Sequence, residues 1–171
     1  MLFEYSIYKL MQWRTSILQD PDNENYFTRL VSLKLLFLLA AVKNMRDKDK
    51  DLLDIFDKFC AVETGPVETE IYSDIAFKRT NFYDFDHYRL ITKIKPDFSH
   101  ISVELARRID GAVEMLKFYN QKLVTFGPFK LMDITRKWDG WSIPMGYAEL
   151  NGENERDMHV STIRTSKPYY E

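Results

Sequence analysis

Apolar residues recur along this chain at three- and four-residue intervals in several stretches, and each such stretch predicts an amphipathic helix. Phe3, Ile7, Leu10, Met11, Trp13, Ile17 and Leu18 keep that spacing up to the break Asp20-Pro21-Asp22-Asn23, which places a first helix over residues 1–19. Asn25 is positioned to cap a second helix that runs through the apolar block Leu35 to Val42 and on to about Met45. That block is far shorter than the roughly 20 residues of a membrane span, so it reads as a helix central to a core. A mixed-sign charge run from Lys43 to Asp51 reads as a solvated helix end and connector. A third helix is expected from about Asp51 to Val62, with Leu52, Ile55, Phe56, Phe59 and Cys60 on one side.

Gly65-Pro66 with Glu68 behind it has the order of a helix start, and the helix it opens is expected to cover Val67 to about Phe77. The same step recurs at Gly127-Pro128, ahead of Leu131, Ile134 and Trp138. Between the two, Ile101, Leu105, Ile109, Ala112, Val113 and Leu116 form the most regular apolar stripe of the chain. Tyr88, Leu90, Thr92 and Ile94 alternate with Arg89, Ile91, Lys93 and Lys95, which suits a strand that Leu123 to Phe126 could pair with. A last helix is expected from Asp157 to Thr165, and Pro168 ends it. The resulting expectation is an all-α fold, a single compact domain over residues 1–171 with about six to seven helices and room for one short two-stranded β pair.

Composition narrows the function classes. The 171 residues carry 24 Lys+Arg against 26 Asp+Glu, a formal charge of −2. Such a chain lacks the basic surplus with which a nucleic-acid binder releases phosphate counterions, although Arg107-Arg108 and Lys93 with Lys95 are short clusters that a DNA-binding regulator could use. The lone Cys60 excludes an intramolecular disulfide framework and a Cys-based zinc finger. Glu4, Lys9 and Arg14 interrupt the apolar N-terminus, so no signal-type pattern is present and a cytoplasmic location, away from the membrane, is expected.

Candidate chemistry is sparse. There is no Gly-rich phosphate loop, no paired-His helix and no Gly-x-Ser-x-Gly elbow, and only His87, His100 and His159 supply imidazoles. Asp84-Phe85-Asp86-His87 could hold a divalent cation on an extended backbone, with Glu68 or Glu70 as helpers, and so supports a small metal-dependent enzyme. The surface-loop reading is preferred, because the spacing matches no established coordination pattern. Cys60 reads as a small buried hydrophobe, His100 as a neighbour of the capping Ser99, and His159 as a core-edge residue. The Gly-Pro helix starts could receive an anion, or be satisfied already by Glu63 and Glu68. Trp138-Asp139-Gly140-Trp141 places two indoles around a tight Asp-Gly turn, as a core anchor or as an interaction hot spot. Aromatic residues outside the helix faces, chiefly Phe82, Tyr83, Phe85 and Tyr88, join Trp138 as candidate partner contacts. No catalytic constellation and no cofactor site emerges, so the chain is not expected to be an enzyme.

The segment Leu33-Lys34-Leu35-Leu36-Phe37-Leu38, followed by Ala61-Val62-Glu63-Thr64-Gly65-Pro66-Val67 and then Ile71-Tyr72, resembles the Panacea-domain family, the SocA-like antitoxins. Farther on, Leu131-Met132-Asp133-Ile134-Thr135-Arg136 with Trp141 is similar to that family's Leu-x-x-Leu-Thr-His followed by Trp, with Arg136 standing at the usual His. The residues that carry the resemblance are Gly65, Pro66, Val67, Tyr72, Thr135, Arg136 and Trp141. They span a family-like core of about residues 30–141, flanked by the helix of residues 1–19 and a C-terminal helix and tail, 154–171. The resemblance implies an all-helical domain that acts by binding. Family members are antitoxins, commonly encoded beside the toxin they neutralise, some of them similar to adaptors that hand a toxin to an ATP-dependent protease, and others occur in phage-related contexts. The expected partner is therefore a cognate toxin, with or without a protease.

Overall fold

The structure, a computed structural model, describes residues 1–19, 21–43 and 51–171. In chain order its helices and strands are α1 (Leu2–Leu18), α2 (Asn23–Tyr26), α3 (Arg29–Ala41), β1 (Phe59–Val62), β2 (Gly65–Glu68), α4 (Thr69–Ala76), β3 (Tyr83–Phe85) and β4 (Leu90–Thr92). There follow α5 (Val103–Tyr119), α6 (Pro128–Arg136), α7 (Asp139–Leu150), β5 (Glu155–Asp157) and α8 (Val160–Thr165). The fold is mainly α, with a three-stranded sheet of order β2-β1-β5 and a separate hairpin of β3 and β4, both antiparallel. The expectation of an all-α chain with at most one strand pair is corrected to that extent.

Helix α3 forms the axis. Every residue from Val31 to Ala41 is buried, as expected of a helix apolar on all sides, and α1, α5, α6 and β2 pack around it. Its start is not Asn25. Asp22 caps the short α2, accepting from Asn25 N at 3.0 Å, and the chain then turns so that Phe27 is wholly buried and Thr28 caps α3 through Val31 N. The helix ends at Ala41, short of the expected Met45, because Val42 is already extended; most of the charge run from Lys43 to Asp51 lies outside the described residues.

The helix expected from Asp51 to Val62 is replaced by a turn over residues 52–56 and by strand β1. Phe59, Cys60 and Ala61 are buried in succession because β1 is the middle strand of its sheet. An apolar run of that kind carries no period that separates a buried strand from a buried helix. Gly65-Pro66 likewise starts no helix. Gly65 sits at φ +96°, where glycine alone is unstrained, and it opens β2, pairing with Val62 across the two-residue turn Glu63-Thr64. The helix begins four residues later, where the Glu68 carboxylate accepts from Ile71 N at 2.6 Å and Lys58 N at 3.3 Å. Burial raises the pKa of that carboxyl.

The alternating stretch does contain β4, but its partner is β3, not residues 123–126, which form a 3-10 turn. The Asp86 carboxylate closes the β3–β4 turn by accepting from Tyr88 N and Arg89 N, and those bonds hold its pKa below the ordinary carboxylate range. The stripe on α5 and the Gly-Pro start of α6 are found as expected, but the cap of α5 is Ser102 and not Ser99. Asp139-Gly140 forms the first turn of α7 in place of a tight turn. Gly140 allows α8 to approach: a Cβ there would lie 3.1 Å from the Ile163 Cα. The start of the expected last helix is strand β5, and α8 is correspondingly shorter. Ile163 and Tyr170 join the central apolar cluster, so the C-terminal segment is built into the core.

Candidate functional site

The segments that carry the family resemblance lie far apart in the chain and meet at the β1–β2 hairpin. Lys34, on α3, has no exposed surface at all, and its ammonium donates to the Pro66 carbonyl at 2.7 Å. Burial, reinforced by the nearby Arg136 guanidinium, pulls its pKa down from the ordinary lysine value to about 7. Gly65 faces the same side chain. A Cβ on Gly65 would meet Thr135 Oγ1 at 2.9 Å and Lys34 Nζ at 3.4 Å, so a larger residue is excluded by packing as well as by φ. Thr135 is itself buried, its hydroxyl donating back to the carbonyls of Leu131 and Met132.

Arg136, at the end of α6, reaches across the hairpin tip and donates to the Glu63 carbonyl, while its Nε is buried without an acceptor. Its guanidinium lies 5.6 Å from the centre of the Trp141 ring. Trp141, on α7, donates from its indole nitrogen to the Val62 carbonyl at 2.9 Å. The tip carbonyls of Val62, Glu63 and Pro66 are thus each taken by a side chain from a different helix: α7, α6 and α3. The arrangement is a clamp on a two-residue turn, and two cations sit beside each other within it. Val67 is half-buried next to the cluster, whereas Tyr72 stands apart on α4, under the Arg29 guanidinium at 5.1 Å.

The other sequence candidates fare differently. Phe82, Tyr83, Phe85 and Trp138 are buried in the core, Trp138 packing edge-on against Phe37 and Tyr170, so these four cannot serve as contact area, and only Tyr88 remains exposed. For Phe82, Tyr83 and Phe85 the local pattern indicates a loop, because the β3–β4 pairing that helps bury them is invisible in it. Asp84, Asp86 and His87 do not converge. Asp84 lies 3.4 Å from Lys93, Asp86 serves its own turn, and the His87 ring meets the Arg29 guanidinium at 2.7 Å. Among the described residues no group of three His, Cys, Asp or Glu side chains is placed to hold a metal ion. Glu68 is occupied as a helix cap. Cys60 is buried on β1, and burial raises its thiol pKa, against a nucleophilic role. Arg108 is engaged with Asp54 and with the Asp51 carbonyl. The Gly65 step has no helix N-terminus to offer an anion, while the Gly127 step does begin α6.

Two of the buried charges that the pattern reading misses stand out. Lys34 is one, and its signal is a single cation inside an otherwise apolar run. Glu4 is the other: only 1% exposed, it accepts from Phe82 N at 2.5 Å, Tyr83 N at 3.2 Å and Asn81 Nδ2 at 3.0 Å, tying α1 to β3.

No protein-family model matches this chain, and neither a curated protein nor a solved structure matches it. Among the described residues no helix is long and apolar enough to cross a membrane.

Proposed function

We propose that the chain is an antitoxin-like protein-interaction module that binds a partner toxin and neutralises it, by occluding it or by presenting it to a protease. The observation that supports this reading is the convergence on one hairpin of residues that carry the resemblance to the SocA-like antitoxins. Gly65, Pro66, Thr135, Arg136 and Trp141, from three separate segments, lock the β1–β2 turn to α3, α6 and α7. Residues used up in such a lock hold a rigid scaffold, and a rigid scaffold lowers the ordering cost of binding a protein partner.

Co-expression with the adjoining reading frame tests the proposal. The expected outcome is that the neighbour alone arrests growth, that this chain restores it, and that the two co-purify in a fixed ratio. A harmless neighbour, together with no stoichiometric protein partner in a pull-down, refutes it.

A further inference from the structure

Helix α7 ends in a turn that depends on a glycine. Gly152 sits at φ +70°, its N–H donates to the Glu149 carbonyl at 3.2 Å, and Glu153 N donates to the Ala148 carbonyl at 2.8 Å. This pair of bonds is the Schellman closure of a helix end. Asn151, just before the glycine, donates from its backbone N–H to the Tyr147 and Ala148 carbonyls and from Nδ2 to the Tyr147 carbonyl at 2.8 Å. All of these bonds return to the last turn of the same helix.

Little else holds that turn shut. The position of Glu153 commonly carries an apolar residue that packs back on the helix, but here it is an exposed carboxylate. The last turn of α7 has no basic residue, and Glu149 and Glu153 stand at the negative end of the helix dipole. Arg156 reaches Glu153 at 3.5 Å, an exposed pair of small worth. Residues 149–157 are all exposed, so the turn opens at a low cost in free energy.

Asn151-Gly152 is the only Asn-Gly step in the chain. A glycine amide nitrogen has no neighbouring side chain to shield it, and even a Cβ on Gly152 would meet nothing within 4 Å. Two Asp-Gly steps could cyclise in the same way, with loss of water, but folding withholds both. Gly111 lies inside α5, and Gly140 N donates to the buried Ser166 Oγ at 2.7 Å.

We propose that Asn151 is a site of spontaneous covalent modification, converting to aspartate and isoaspartate through a cyclic imide formed with Gly152. When the turn opens, Gly152 N bonds to the Asn151 Cγ, the Cγ–Nδ2 bond breaks, and Nδ2 leaves as ammonia with the proton given up by Gly152 N. Water then adds to one of the two ring carbonyls. Cleavage of the bond between Cγ and Gly152 N gives aspartate, and cleavage of the bond between the Asn151 backbone carbonyl carbon and Gly152 N gives isoaspartate. Aspartate places a further carboxylate beside Glu149 and Glu153, and isoaspartate lengthens the backbone inside the turn. The inference does not depend on the protein-binding reading above.

The full chain, folded and held in mildly alkaline buffer, provides the test. Samples are assayed for methyl transfer from S-adenosylmethionine by an isoaspartyl methyltransferase, and peptide mapping locates the acceptor. The expected result is methyl acceptance that rises with time and maps to residue 151, while Asn154 in the same loop stays an amide. Asn151→Gln, whose longer side chain closes a less favourable ring, should lose the signal with unchanged circular dichroism. A folded chain that accepts no methyl at residue 151, acceptance that appears only once urea is added, faster acceptance at residue 110 or 139, or an undiminished signal in Asn151→Gln would each overturn the proposal.

Discussion

The Lys34 amino group is wholly shielded from solvent, with one carbonyl acceptor and the Arg136 guanidinium nearby. Its folded-state pKa of about 7 lies below the ordinary value of 10.5, so the unfolded chain holds a proton there that the folded chain gives up. The sign follows from linkage: this contribution to stability is fully present above 10.5, falls as pH falls, and is gone below about 7, with a slope of up to about 1.4 kcal/mol per pH unit between them. Cys60 and Tyr5 act oppositely at high pH, since burial raises both, the Tyr5 hydroxyl to about 12, and their contribution is lost as the unfolded groups ionise. A Lys34→Met variant separates the two effects. Urea denaturation of both proteins between pH 7 and 9 is expected to show stability rising with pH in the wild type relative to the variant. Parallel curves would mean that Lys34 does not titrate in this window.

At the scale of elements, the polar ties between segments decide which secondary structure survives. Glu4 places a carboxylate from α1 over the start of β3, where it satisfies two backbone N–H groups that have no water to turn to. Removing it leaves those donors unpaired. Glu4→Ala is expected to cost about 3 kcal/mol, read as a lowered urea midpoint at unchanged slope, whereas Glu153→Ala on the exposed loop should shift it by less than about 0.5 kcal/mol. Helices α1, α3, α5 and α6 are legible in the sequence, α1 and α5 from a helical apolar period, α3 from its long apolar run and α6 from its Pro-led start. Strands β1, β2 and β5 are not. Phe59-Cys60-Ala61 is apolar on both sides because β1 is central, and Gly65-Pro66 has the local grammar of a helix start until the register with Val62 is known. The clamp at the hairpin tip is half legible: Gly65, Pro66, Thr135, Arg136 and Trp141 can be picked out by resemblance, but that they meet, and that Lys34 joins them, cannot.

Across the whole molecule, the two ends of the chain feed one apolar cluster. Phe3 and Ile7 enter it from α1, and Tyr170 enters from the C-terminal tail, stacked on Tyr119 at 4.6 Å and set edge-on to Trp138. The tail is fastened by Asn120 Nδ2 donating to the Tyr170 carbonyl and Trp138 Nε1 donating to that of Tyr169. A core shared in this way should unfold in one step. Far-ultraviolet circular dichroism and tryptophan fluorescence are expected to give coincident transitions, and Tyr170→Ala should lower both together by about 3 kcal/mol. Separate transitions would show that the tail is a detachable unit.

The sequence by itself determined the helical character of the chain, the central place of the apolar run after Lys34, and the absence of a recognisable catalytic motif, because helix period and motif spacing are properties of neighbours along the chain. Only the tertiary structure decided that Phe82, Tyr83, Phe85 and Trp138 belong to the core and that the Gly-Pro step at residue 65 turns a hairpin. The physical reason is common to both. Burial and strand pairing are set by contacts between residues distant in sequence, and a local pattern is compatible with more than one set of those contacts until the whole chain has chosen among them.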